Sequence, residues 1–143
     1  SNIEFVRLIG DGDSIVNNTS GLCDTYDDYT SQYTTLTPGQ TYSIDVNLGT
    51  CHPTFGFADG GKVFIDWNID GDFDDIGEEI GSIAVTQSPS TNTLSFLVPN
   101  LGYFGATRMR VISQYNSSTF TACEQGSTNP FTTCSRRLIE FRR

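Results

Sequence analysis

Apolar and polar residues alternate one by one along much of this chain, and this period of two restricts its fold more than any other feature. The pattern runs through four stretches, which are 42–48, 63–67, 94–98 and 107–111. Successive side chains of a β-strand point to opposite faces, so the alternation predicts strands that have one buried face and one wet face. Residues 80–85 are a further predicted strand, and no stretch shows a helical period over a helical length.

Turn-forming residues separate the predicted strands at four places, which are 37–40, 60–61, 88–90 and 100–102. Short strands between closely spaced turns are typical of sandwiches and barrels, so we expect about six to nine strands. We predict an all-β fold, an antiparallel β-sandwich that is jelly-roll-like. A length of 143 residues suits one domain with a substantial core, so we expect a single domain over 1–143.

Both ends of the sequence contain short β-prone runs, at 3–8 and 137–141. We expect them to be strands of the domain's own sheets. The alternative is that one of them completes the sheet of a neighbouring molecule, because an unpaired strand edge is a template for a further strand.

Residues 66–79, DWNIDGDFDDIGEE, contain seven of the 17 acidic residues. Oxygen-bearing side chains stand at positions 1, 3, 5 and 7 of this segment, and Gly71 stands at position 6, as in the first half of an EF-hand calcium loop. The second half differs, because position 12 is Gly77 rather than an acid and no helical pattern flanks the loop. We therefore interpret the segment as a calcium-binding hairpin turn between two strands.

The predicted ligands of the Ca²⁺ ion are Asp66, Asn68, Asp70, Asp72 and Glu78. Calcium takes about six to eight oxygen ligands, and crowded carboxylates repel one another unless a cation neutralises them. Magnesium fits less well because it retains its waters. We expect a structural ion and place three acids on the solvent side, namely Asp74, Asp75 and Glu79. The alternative is an acidic loop that is merely solvated.

A second polar segment, 24–29, combines carboxylates with tyrosines. We expect a surface loop there. The alternatives are a ligand or partner site and a second, weaker cation site.

The four cysteines are Cys23, Cys51, Cys123 and Cys134. They form no CxxC pair and His52 is the only histidine, so a zinc site is poorly supported. Their even number predicts disulfides and an oxidising, extracellular setting. Of the three pairings that four cysteines allow, we favour Cys23 with Cys51 and Cys123 with Cys134. Three asparagines stand in glycosylation sequons, which are Asn17, Asn18 and Asn116.

Several of these segments resemble the GEVED domain family of secreted bacterial proteins. The likeness lies in 15–21, 28–31, 34–42, 62–73 with Gly77 and Glu78, and 107–111, and the IDWNIDGDF stretch is its most specific part. The resemblance spans roughly 10–125 and implies an exported β-sandwich, often an accessory module, without catalytic residues of its own. One departure is that the acidic strand expected to close such a domain is replaced by Ser135–Phe141, which is basic.

A net charge of −9 argues against nucleic acid as a partner, and no apolar run is long enough for a transmembrane segment. His52 has no evident catalytic companions, so we predict that the chain is not an enzyme.

We expect a calcium-stabilised structural or adhesion module, secreted or on the cell surface, that associates with itself or with an extracellular polymer. It would form a surface filament if a terminal strand completes a neighbour's sheet. The alternative is a carbohydrate-binding module of a secreted hydrolase. Its stacking faces would be five tyrosines: Tyr26, Tyr29, Tyr33, Tyr103 and Tyr115.

Overall fold

The computed structural model describes residues 2–19, 23, 26–52, 54–122 and 135–142. This part of the chain contains nine β-strands and no helix. The strands are β1 (Asn2–Ile9), β2 (Ser14–Asn18), β3 (Tyr26–Thr35), β4 (Thr41–Gly49), β5 (Ala58–Ile65), β6 (Glu79–Gln87), β7 (Ser90–Leu97), β8 (Ala106–Tyr115) and β9 (Ser135–Arg142). The prediction of an all-β fold is confirmed.

The strands form two sheets that share one core. One sheet has four strands in the order β2-β1-β4-β7, and the other has five in the order β3-β9-β8-β5-β6. Neighbouring strands are antiparallel except β3 and β9, which are parallel. A parallel pair needs a crossover connection rather than a hairpin, and residues 36–134, which contain β4 to β8, join β3 to β9. The predicted antiparallel sandwich is confirmed, with this one pair as the difference.

The alternating residues fill the space between the sheets. Val63 and Ile65 of β5 and Met109 and Val111 of β8 are buried, as are the aliphatic residues of β4. Trp67, just after β5, packs its ring against that of Phe96 with centroids 6.1 Å apart. The buried face of each sheet therefore follows the period read from the sequence.

Two predictions for single segments are wrong. The segment 24–29 is not simply a surface loop, because β3 begins at Tyr26. Gly60 and Gly61 do not form a turn but lie inside β5. A Cβ at Gly60 would collide with the Ser117 carbonyl, so glycine here allows the close approach of the 116–122 segment to the strand.

Both terminal runs lie in the middle of a sheet. β1 pairs with β2 and β4, and β9 pairs with β3 and β8. In the single chain they are therefore strands of the domain's own sheets, as expected.

The disulfide between Cys23 and Cys51 is present, with the two Cα atoms 5.7 Å apart, which confirms that predicted pair. Cys123 and Cys134 lie outside the described residues. Among the residues described, no helix has the length and apolar character needed to cross a membrane.

Candidate metal centre

The acidic segment forms the connection between β5 and β6, which are antiparallel neighbours. Its base is fixed by backbone hydrogen bonds: Ile65 N–H donates to the Glu78 carbonyl (2.9 Å) and Asp66 N–H donates to the Arg108 carbonyl (3.1 Å). The Thr107 hydroxyl donates to the Asp66 carbonyl. The loop 66–78 therefore starts and ends on the rigid edge of the sandwich, as the hairpin interpretation predicts.

Asp66 organises the first turn of the loop. Its side chain is buried, with the residue only 4% exposed. Oδ1 accepts hydrogen bonds from the N–H groups of Ile69 (2.7 Å) and Asp70 (3.3 Å), and Oδ2 accepts one from Gly71 (3.0 Å). Ile69 has φ 63° and Gly71 has φ 97°, so two left-handed residues curl the backbone around this carboxylate. A carboxylate offers about four lone-pair sites, so one site of Asp66 remains for a further donor or a cation.

Three exposed carboxylates meet at the outer side of the loop. One oxygen from each of Asp70, Asp72 and Asp75 lies within 4.8 Å of the other two. Asn68 connects them, because its Nδ2 group donates to Asp70 Oδ2 (2.8 Å) and Asp75 Oδ2 (2.6 Å). We call these four residues the carboxylate cluster. The oxygens of the three carboxylates are hard donors, close enough together for one cation to contact all of them.

A tight turn returns Asp75 to the cluster. Glu78 N–H donates to the Asp75 carbonyl (3.2 Å), and Gly77, the third residue of this turn, has φ 93°. A type II turn needs positive φ at that position, which glycine supplies without strain. The sequence Asp-Ile-Gly-Glu at 75–78 is therefore a turn signal, and it could have indicated that Asp75 lies close to the rest of the loop.

Glu78 stabilises the loop from its buried side. The residue is 1% exposed, and its carboxylate accepts hydrogen bonds from the N–H groups of Trp67 (2.9 Å) and Asp75 (3.3 Å). Burial raises the pKa of Glu78, the two hydrogen bonds oppose that rise, and the charges of Asp66 and Asp75 add to it. A buried carboxylate with this environment gains from a nearby positive charge.

Phe73 anchors the far end of the loop to the outer face of the five-stranded sheet. It is buried with four neighbours in a small apolar group: Phe64, Ile112, Phe120 and Ala122. The rings of Phe64 and Phe73 lie 6.5 Å apart, and the Arg110 guanidinium stacks 4.7 Å from the Phe73 centroid. The carboxylate cluster therefore stands on a loop that is fixed at its base and at its tip.

The structure divides the predicted ligands into two groups. Asn68, Asp70 and Asp72 belong to the carboxylate cluster, whereas Asp66 and Glu78 lie inside the loop and bind backbone N–H groups. Asp75, which the sequence analysis placed on the solvent side, joins the cluster. The other two acids placed there differ in surroundings: Glu79 pairs with Lys62 (2.8 Å), and Asp74 donates its N–H to Asp72 (3.0 Å).

Other predicted sites lie apart from this loop. Asn17 is buried and Asn18 is exposed, both in β2, and Asn116 follows β8.

In the polar segment of β3, Asp28 accepts the Thr30 N–H (2.9 Å), and this hydrogen bond lowers its pKa. Asp24 and Thr25 lie outside the described residues. His52 contacts the rings of Phe55 and Phe57 (centroids at 5.0 and 6.1 Å).

The fold and this loop define a class of protein, an all-β sandwich whose acidic hairpin connection gathers carboxylates at one end of the sheets. Within that class, residues 61–130 match the model of the GEVED domain family, so this part of the chain is similar to that family. The match contains the IDWNIDGDF stretch, the second half of β5 and all of β6 to β8, so the predicted resemblance is confirmed there; the likeness at 15–21, 28–31 and 34–42 falls outside it. A search of the curated proteins finds no match to the chain.

Proposed function

We propose that this chain is a calcium-stabilised, non-catalytic structural or adhesion module of the extracellular space that associates with copies of itself. The observation that carries the proposal is the convergence of Asp70, Asp72 and Asp75 on one point of a rigid loop. Two like charges at about 4 Å repel by about 1 kcal/mol in water and by about 4 kcal/mol near a protein surface. A cation at the centre converts this repulsion into attraction and stabilises the loop.

The donor set favours calcium. Asp70, Asp72 and Asp75 supply carboxylate oxygens, and rotation of the Asn68 amide would present its oxygen in place of Nδ2. Water molecules would bring the total into the range of about six to eight that calcium prefers. A magnesium ion would retain most of its waters and engage one or two carboxylates.

Calorimetric titration of the chelator-treated chain with Ca²⁺ and, separately, with Mg²⁺ tests the metal site. We expect binding of Ca²⁺ in preference to Mg²⁺, and loss of that binding in Asp75→Asn. Asp74→Asn is the matched control, because it removes the same charge from the adjacent residue outside the cluster. Equal calcium affinity in the two variants, or no heat from the parent chain, would refute the site.

Self-association through a terminal strand is supported by the position of β1 and β9. Each is paired on both sides, so its removal would expose two open edges that a strand from another copy could fill. The connection between β8 and β9 spans 116–134, which is long enough for β9 to leave one sandwich and enter another.

Engineered cysteine pairs distinguish exchange from ordinary folding. Arg7 faces Asp45 across β1 and β4, and Arg108 faces Glu140 across β8 and β9. Two variants, R7C/D45C and R108C/E140C, are each assembled from a mixture of isotopically light and heavy chains and then oxidised. If a strand is exchanged between molecules, some disulfide-linked peptides contain one light and one heavy partner. Light–heavy links in R7C/D45C would identify β1 as the exchanged strand, and light–heavy links in R108C/E140C would identify β9. Links only within one chain, under conditions where the protein assembles, would exclude exchange.

The surroundings of His52 support a non-catalytic role. Its Nδ1 lies 3.2 Å from the Thr54 hydroxyl, and within the described part of the chain no carboxylate is hydrogen-bonded to the ring. A base without an orienting partner lacks the arrangement that activates a hydroxyl nucleophile. The Cys23–Cys51 disulfide supports an oxidising, extracellular location.

A carbohydrate-binding role is the second candidate, and one surface favours it. The connection between β7 and β8 exposes Leu101, Tyr103 and Phe104, and Leu101 shares a cleft with Trp67 and Ile76 beside the acidic loop. Aromatic rings of this kind stack on sugar faces. We expect retention on a polysaccharide column that Y103A/F104A abolishes; equal elution of parent and variant on a panel of polysaccharides would exclude this role.

A further inference from the structure

Each sheet of the sandwich ends in strands that have one unpaired side. Among the described residues these edge strands are β2 and β7 in the four-stranded sheet, and β3 and β6 in the five-stranded sheet. The free N–H and C=O groups of an edge attract strands of other molecules. Natural proteins protect such edges by short length, charge, proline or irregular pairing.

Three of the four edges carry such protection. β2 is only five residues long. β3 contains Asp27 and Asp28, and its pairing shifts register after Asp28. β6 begins with Glu79 and pairs with β5 through two register shifts.

β7 carries none of these features. Its eight residues, STNTLSFL, include no charge and no proline. It pairs with β4 without a register shift from Thr41 and Leu97 to Leu48 and Ser90. A regular, uncharged edge of this length is the form most open to another strand.

We propose that β7 is a self-association edge, which pairs antiparallel with β7 of a second copy of this chain across a two-fold axis. This joins two four-stranded sheets into one continuous sheet. The inference rests on the proposed structural role and names the surface through which two modules meet, apart from any exchange of terminal strands.

The composition of the edge favours a second copy over a charged peptide. Copies of a chain with net charge −9 repel one another, and a contact surface without charges, such as β7, adds least to that repulsion. A charged segment would find no opposite charge on β7 itself.

The sequence of β7 is also compatible with antiparallel pairing to a second copy of β7. With Thr93 opposite Thr93 of the second copy, Thr91 faces Ser95 and each residue meets one on the same side of the sheet. Opposed threonine and serine hydroxyls form favourable cross-strand pairs. In this register Leu97, which is 61% exposed, meets the exposed Pro89 of the other copy at both ends of the contact.

Sedimentation equilibrium on the full chain over a wide concentration range tests the inference. We expect the parent chain to show a reversible monomer–dimer equilibrium. In T91K/S95K, lysines would face each other twice across the axis, so the dimer dissociation constant should rise about tenfold. In T91K/S95E, each lysine would face a glutamate, so the dimer should be at least as tight as in the parent chain.

The two variants share both positions and the first lysine, so loss of folding at those positions would affect both. If only the net charge of the chain mattered, T91K/S95K would dimerise more tightly than T91K/S95E, because T91K/S95K brings the net charge closer to zero. A parent chain that stays monomeric at every concentration would overturn the proposal, and so would equal association of the two variants. Calcium binding and isotope mixing at β1 and β9 do not involve β7, so their outcome is separate from this one.

Discussion

Replacing Asp66 by alanine is expected to destabilise the domain whether or not calcium is present. The carboxylate accepts three backbone N–H groups, from Ile69, Asp70 and Gly71. Asp70 N–H has a second acceptor in Asn68 Oδ1 (3.1 Å), so two N–H groups lose their acceptor. Ile69 and Gly71 are exposed, so water replaces part of what their N–H groups lose, and we expect D66A to lower the free energy of unfolding by about 1–3 kcal/mol in total.

Thermal unfolding followed by circular dichroism measures this loss. For a domain of this size we expect a fall in Tm of about 3–12 °C, of similar size in excess Ca²⁺ and in chelator. D66N retains one carbonyl oxygen and should lie between the parent and D66A. D70A is the contrasting variant, since it should lower Tm in Ca²⁺ and leave it unchanged or higher in chelator, where it relieves repulsion. A loss of stability in D66A that appears only with Ca²⁺ would refute the organising role of Asp66 and favour its action as a ligand.

Three further outcomes follow from the contacts. F73A should destabilise the chain by about 3 kcal/mol in urea unfolding and weaken calcium binding, because Phe73 anchors the loop in a buried apolar group; an unchanged calcium affinity would contradict that coupling. G77A and G12A both place alanine in open space at positive φ, at a backbone cost of about 1–2 kcal/mol, but only G77A should weaken calcium binding in titration calorimetry. Burial raises the pKa of Asp59, so its folded state holds the proton more tightly and stability falls as pH rises from 3.8 through the raised pKa. Urea unfolding across that range should show a smaller fall for D59N, and parallel profiles would contradict the assignment.

Strands with strict alternation were predictable because one buried and one wet face impose the period directly. β4 is the clearest case, since its inward residues Ile44, Val46 and Leu48 are all fully buried. β3 was not predictable in this way, because YDDYTSQYTT has no apolar period. Its strand conformation comes from pairing with β9, a contact between segments that are far apart in the sequence. Gly60 and Gly61 were mistaken for a turn for a similar reason. The need for a glycine at position 60 comes from the packing of Ser117 against β5, a contact that the local sequence does not reveal.

In the acidic loop, the spacing of Asp66, Asn68, Asp70 and Gly71 indicated a tight turn rich in oxygen donors, and the structure contains one. Spacing does not reveal which oxygens point outward and which bind the backbone. Asp66 and Glu78 face inward because the N–H groups of the curled chain need acceptors there. Asp75 faces the cluster because the turn at Gly77 reverses the chain.

The sequence by itself determined the local properties of this protein: the strand period, the turn at the acidic segment and the family likeness around IDWNIDGDF. Each depends on residues near one another in the chain or on a small set of spacings. Only the tertiary structure decided the neighbours of each strand, the parallel entry of β9, the convergence of three carboxylates and the bare edge of β7. These depend on contacts between distant segments, where many pairings satisfy the same local pattern and packing of the whole sandwich selects one.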